Sequence, residues 1–237
     1  TKVIPEEELE QARSIMTPEQ FEQEFECSFT AAVSGSYYGR LITKADKDGR
    51  IGYVPVDDNA GVETWWDLGI GDSTAIWFAQ RIGEEVHLID YYENSGESLA
   101  HYVDVLTEKD YAYSNHIAPH DIKVRELGAF GKSRLESALE LGISFDIAPK
   151  LSIEDGIEAV RKTLPKCYFD KEKTYQGVEA LKAYQKKWDD KNQCFKNRPT
   201  HNYASHPADA FRYGCTFIGG KMTDWKKEVY VNTNYIV

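Results

Sequence analysis

Asp67 lies in the segment ETWWDLGIGDST (63–74), where two tryptophans lead into the aspartate and the run closes on Gly69, Gly71, Asp72 and a Ser-Thr pair. The segment reads as a buried strand. A carboxylate inside one is costly unless it is paired, hydrogen-bonded or bound to a cation. Either Asp67 caps a turn or something positive sits beside it. Two further acids have suggestive placements: Asp121 ends the strand-like HIAPHD, and Asp209 falls in the first turns of a helix opening at SHPADAFRYG. If the first and fourth strands are neighbours, Asp67 and Asp121 stand side by side, and a helix crossing the strand ends adds Asp209. Three converging carboxylates repel one another and need cations between them, and carboxylate oxygens suit hard ions such as Mg²⁺ or Mn²⁺. Two such ions about 3.5–4 Å apart would activate a water and stabilise the leaving oxygen of an in-line phosphodiester cleavage.

His206 precedes Asp209 by three residues, so the two share a helix face. It reads either as a ligand to a second metal or a water-positioning group, or as a helix-start residue beside Pro207 that bonds backbone. Asp72 follows Gly71 in a tight turn, where an aspartate is explained by local hydrogen bonding as well as by a metal. His87, His101, His116, His120 and His201 show no ligand spacing among themselves and read as ordinary; Asp104 and Asp110 read as solvated. ELGAFGKS (126–133) imitates a phosphate-binding GxxxxGK[ST] loop, but Glu126 stands where the first glycine belongs, so no ATP site is expected. Lys132, Ser133 and Arg134 open a helix whose N-terminus suits anions. With Arg125 they are candidate contacts to DNA phosphates, or else solvated helix-start residues. Arg161, Lys162, Lys186 and Lys187 read mostly as solvated helix faces.

The elements that must position these groups follow from periodicity. Residues 62–70, 74–82 and 86–93 read as three strands in an antiparallel meander. ESLAHYVDVLTEKD is an amphipathic helix with Leu99, Tyr102, Val103 and Leu106 on one face. A fourth strand at YSNHIAPHD, a helix at KSRLESALELG stopped by Gly142, and a fifth strand at ISFDIAP come next. SIEDGIEAVRKTL is a helix capped by Ser152, with Asp155 as its capping-box-like acid. KCYFD, a helix across KTYQGVEALKAYQKKW, a hairpin-like DDKNQCFKN and the final helix complete the order. Strand-strand-strand-helix-strand-helix-strand-helix predicts an α/β, ribonuclease H-like mixed central sheet, its first three strands antiparallel, flanked by helices. Trp65, Trp66 and Trp77 are expected to pack the sheet rather than stack on bases.

Upstream, TPEQFEQEF offers Thr17 as N-cap, and residues 1–26 read as a helix pair. A linker with a short helix and strand follows, so residues 1–60 form an upstream region and 61–237 the main domain with its tail. The 237 residues lack a run of about 18 apolar positions, so no membrane span is expected. The acidic N-terminus carries no apolar signal region, and without an initiator Met the chain reads as a piece of a longer protein. Cys27, Cys167, Cys194 and Cys215 are widely spaced and read as reduced, buried thiols. The net charge is −11, but eight glutamates in the first 26 residues face only Lys2 and Arg13, so acidity is concentrated upstream and does not exclude DNA.

QEFECSF, GRIGYVPVD, WWDLGIGDSTAIWF, HIAPHD, FGKSRLESALELGI, APKLSIEDGIEAVRKTL, CYFD and YASHPADAFRY occur in an order that resembles the large terminase subunit of tailed bacteriophages, specifically its C-terminal nuclease half. The resemblance runs through residues 20–217. It implies a metal-dependent endonuclease that cuts concatemeric viral double-stranded DNA during genome packaging, with little sequence preference and two Mg²⁺ or Mn²⁺ ions. The family's metal-binding acids carry over to Asp67, Asp121 and Asp209, and a histidine of some members to His206. Asp67 would bridge both ions. The resemblance also implies an N-terminal packaging ATPase in the full-length protein, with residues 1–35 as its end. It further implies partners in the small terminase subunit and the portal, and action in the host cytoplasm at the procapsid. Rival readings are a junction resolvase or transposase of the same fold, a sugar-kinase or actin-like ATPase whose loop also reads Asp-x-Gly, and an inactive docking module. The ATPase fold needs two domain copies, and this chain has room for one.

Overall fold

The computed structural model describes Glu10 and residues 35–69, 72–125, 131–189, 191–192 and 194–231, with side chains through 220. Apart from Glu10, the helix pair expected over 1–26 lies outside the described residues, as do residues 126–130 at the start of ELGAFGKS, Cys27 and the final tail. A seven-stranded sheet has the order β1-β7-β4-β3-β2-β5-β6. Its strands are β1 (Ile51–Gly52), β2 (Val62–Asp67), β3 (Ser73–Ile82), β4 (Glu85–Ser95), β5 (Tyr113–Ala118), β6 (Phe145–Ile147) and β7 (Cys167–Asp170). β2, β3 and β4 pair antiparallel, whereas β2–β5, β5–β6, β4–β7 and β1–β7 pair parallel. The first long strand is therefore central and lies beside the fourth of the expected order, which is the ribonuclease H-like arrangement.

Helices α1 (Gly39–Lys47), α2 (Leu99–Lys109), α3 (Arg134–Glu140), α4 (Ile153–Thr163), α5 (Tyr175–Ala183) and α6 (Ser205–Val231) flank the sheet. The cap expected at Ser152 forms, and Ser133 adds one that was not anticipated. Ser133 accepts from the Glu136 amide in a full capping box, and Ser152 accepts from the Asp155 amide. One boundary changes. The helix through KTYQGVEALKAYQKKW ends at Ala183, because Lys186–Asp189 instead forms β8 against β9 (Cys194–Pro199), with Trp188 and Phe195 packed 4.8 Å apart. The segment expected to carry a short helix and strand does so as α1 and β1; β1 joins the sheet edge, and Tyr38, Ile42 and Ala45 are buried. Cys167 and Cys215 are buried free thiols, but Cys194 is exposed on β9, contrary to the expectation that every cysteine is buried.

Strand alternation in β2 divides its side chains between two cores. Trp66 packs against Tyr102 and Phe145 in the cluster beneath α2 and α3. Trp65 faces the other way, edge-on to Phe211 of α6. Trp77 of β3 joins it, with ring centroids 5.3 Å from Phe211 and 4.8 Å from Tyr91. All three tryptophans are fully buried. The α6 backbone reaches this face because residue 214 is glycine: a Cβ there would stand 1.9 Å from the Trp65 ring.

Gly214→Ala is expected to destabilise the protein by about 3 kcal/mol or more, since a fully buried indole and a helix backbone cannot both give way. Gly219, exposed on the same helix with open space at its Cβ, provides the contrast. Gly219→Ala is expected to be neutral or stabilising by up to about 1 kcal/mol. Urea denaturation of the two variants reads the difference.

Candidate active site

The alternation that turns Trp65 toward α6 also turns Asp67 toward it, at the last position of β2. The parallel ladder with β5 ends at Trp65↔Ile117. Beyond it, β5 runs through Pro119 into a 3₁₀ turn (His120–Lys123) that carries Asp121, exposed, while the fully buried Ile122 anchors the turn. Asp67 and Asp121 thus sit past the carboxyl ends of adjacent parallel strands, where open α/β sheets bind ligands.

The start of α6 is fixed over these strand ends. The Trp77 indole N–H donates to the Pro207 carbonyl at 2.9 Å, and Phe211 wedges among Trp65, Trp77 and Phe169. The preceding turn is built by Asn202, which accepts from the Ala204 amide, and by the Ser205 hydroxyl, which accepts from the Asn202 amide. With α6 held this way, His206 Nδ1 donates to Asp67 Oδ2 at 2.8 Å. Neither side chain is more than 17% exposed. Asp209, one turn on, receives the Arg212 guanidinium at 2.8 Å. Arg212 is itself 9% exposed, and Gly156 of α4 leaves room for its stem, which a Cβ would meet at 2.6 Å.

The electrostatics follow the geometry. Burial holds the Asp67 carboxyl above the ordinary range; the His206 hydrogen bond works against this, and the Asp209 charge adds to it. His206 is raised chiefly by its bond to Asp67, against burial, with the charges of Asp67, Asp72 and Asp209 contributing. The Tyr213 phenol is pushed up first by burial, with Arg212 opposing; the charges of Asp209, Asp67 and Asp121 all add to the rise. Three acids separated by 54 and 88 positions in the sequence therefore bear on one hydroxyl.

Other candidates take different places. Asp72 is exposed near the start of β3, its Oδ2 4.0 Å from His206 Nε2. His201, read from sequence as ordinary, lies beside His206, with ring centroids 5.7 Å apart. The His-x₄-His spacing in HNYASH is the signal that would have found it. His87, His101 and His116 do have local partners, in Glu85, Tyr92 and Thr64. Of the proposed phosphate contacts, Ser133 is committed to capping α3 and Arg134 donates to the Leu68 carbonyl. Lys132 pairs with Glu140 at 2.6 Å, and Arg125 is exposed. Arg161 pairs with Glu158, and Lys186 and Lys187 sit on β8 rather than on a helix. Arg212 and Tyr213 were not anticipated; in sequence they look like ordinary helix residues following Asp209.

The sequence matches no family model and no curated protein. Solved structures do match. The nuclease domain of the large terminase from bacteriophage SPP1, with bound Mn, aligns over 72% of this chain and 95% of its own at 18% identity and TM-score 0.52. The chain has the fold of a large-terminase nuclease domain. The corresponding P22 domain aligns over 72% of this chain and 89% of its own, at 16% identity and TM-score 0.52. The large terminase of thermophilic bacteriophage D6E, in complex with ATP-γ-S, aligns over 75% of this chain at 18% identity and TM-score 0.59. Only 45% of that D6E protein is covered, so this chain spans under half its length. Among the described residues no helix is long and apolar enough to cross a membrane.

Arg212→Met is expected to lower stability by about 1–3 kcal/mol, discounted from a fully buried pair because the Asp209 side chain is 29% exposed. Asp209→Asn in that background should recover part of the loss by removing the unpaired charge. A double-mutant cycle in urea checks the coupling.

Proposed function

We propose that the chain is the nuclease part of a phage DNA-packaging terminase, a divalent-metal-dependent endonuclease that cuts concatemeric double-stranded DNA. One observation carries the reading: the 2.8 Å bond from His206 to Asp67, which locks the helix bearing Asp209 onto the end of the strand beside the one leading to Asp121. The fold shared with the SPP1 domain, which was solved with bound Mn, supports the same assignment.

The donor set fits Mg²⁺ or Mn²⁺. It consists of carboxylate oxygens from three elements, and burial together with the Asp209 charge already disfavours ionisation of Asp67 in the metal-free protein. Asp67, Asp121 and Asp209 would hold two ions, with Asp67 shared. Such ions lower the pKa of a bound water and stabilise the leaving oxygen. The protein's own contribution is positional. His206 fixes the rotamer of Asp67, Arg212 orients Asp209 and partly offsets its charge, and the tryptophan–phenylalanine cluster sets the helix over the strand ends. No side-chain base is required. The full-length protein would add the packaging ATPase, and the small terminase subunit and portal would be partners during packaging in the host cytoplasm.

The purified chain is expected to nick supercoiled plasmid in Mn²⁺ or Mg²⁺, increasingly weakly as salt rises. Asp67→Ala and Asp121→Ala should be inert yet folded by circular dichroism. Full activity in either variant would remove the mechanism, and a strong preference for branched over linear duplex would reassign the chain to a junction resolvase.

A further inference from the structure

Between Ser205 and Phe217 every residue of α6 is buried except three: His206, Asp209 and Tyr213 are half-buried. Their spacing, i, i+3 and i+7, puts them on one stripe of the helix. The first two belong to the site already described, since His206 bonds Asp67 and Asp209 holds Arg212. The accessible stripe of α6 therefore opens on the acid cluster, and Tyr213 stands on it one turn beyond Asp209. Its polar group is the uncommitted one of the three. Among the described residues no hydrogen bond engages the Tyr213 hydroxyl, while the Arg212 guanidinium lies over the ring, 4.8 Å from its centroid. Burial keeps this phenol protonated; Arg212 opposes, and the charges of Asp209, Asp67 and Asp121 reinforce it. A phenol held neutral is a hydrogen-bond donor, whereas ionised carboxylates only accept. The three acids can meet an anionic phosphate only through a cation. Tyr213 can meet it directly.

We propose that the Tyr213 hydroxyl touches the substrate, donating a hydrogen bond to a non-bridging oxygen of the DNA phosphate being cut. The proposal rests on the nuclease reading and adds to it a side chain in contact with the reacting group. A donor aimed at oxygens that gain charge during the displacement stabilises the transition state more than the bound substrate. A ring already held against Arg212 needs little reorganisation to serve in this way. If Tyr213 only packed on Arg212, the ring would suffice and the hydroxyl would be idle. Tyr213→Phe separates the two roles, because it keeps the ring and removes the hydroxyl alone.

Plasmid nicking is measured at saturating Mn²⁺ over a range of DNA concentrations. Mn²⁺ affinity is read separately from the paramagnetic resonance of the free ion, and folding from the urea midpoint. Tyr213→Phe is expected to lower kcat by about ten- to hundredfold, the loss of one hydrogen bond to a charged group. The KM for DNA, the Mn²⁺ affinity and the urea midpoint should match the wild type. A wild-type kcat in Tyr213→Phe would overturn the proposal. So would a loss of activity accompanied by weaker Mn²⁺ binding or a lower urea midpoint, which would make Tyr213 a support of the metal centre or of the fold. A wild type that fails to nick in Mn²⁺ would instead sink the nuclease reading, and this contact with it.

Discussion

The structure turns on the burial of one carboxylate at the end of an interior strand of the sheet. β2 pairs on both sides, is covered on both faces by tryptophan, and ends on Asp67, a group that water would otherwise solvate. The protein compensates with a directed hydrogen bond from His206, and that bond requires α6 to cross the strand ends at a particular height. Trp65, Trp77, Phe211 and Gly214 set that height. The aromatic core and the polar site are thus one construction: the same strand alternation that buries Trp65 aims Asp67, and the same helix that covers Trp65 carries His206 and Asp209.

Charge is then distributed around that point without being cancelled. Asp209 has Arg212, Asp67 has His206, and Asp121 stands exposed on its 3₁₀ turn. Each acid has a separate means of remaining tolerable in the metal-free protein, and all three bear on Tyr213. Asp67 and Asp209, whose charges act on each other with only partial compensation, are suited to gaining a cation. Such an arrangement is a poor way merely to stabilise a fold, since a buried apolar cluster of similar volume would do that better.

Much of this was legible in the sequence, for physical reasons that differ by element. The meander and the helix capped by Ser152 are written in local periodicity and capping, which act over a few residues. Asp67 announced itself because a charge inside a tryptophan-flanked strand conflicts with its surroundings. Asp121 and Asp209 could be named because the element order implies which strands are neighbours. The end of α5 was misread because KAYQKKW has helix-forming residues throughout; only pairing with β9, a tertiary interaction, converts Lys186–Asp189 to strand. His201 was passed over because a loop residue has no periodicity to place it, and its proximity to His206 depends on how Asn202 and Ser205 fold the turn between them. The short β1 joins the sheet edge only through β7, more than a hundred residues later.

The most direct measurement is anomalous diffraction from crystals of the chain soaked in Mn²⁺. The account predicts manganese peaks coordinated by carboxylate oxygens of Asp67, Asp121 and Asp209 together. Manganese bound elsewhere, with those three side chains retaining only their His206 and Arg212 partners at saturating metal, would contradict it.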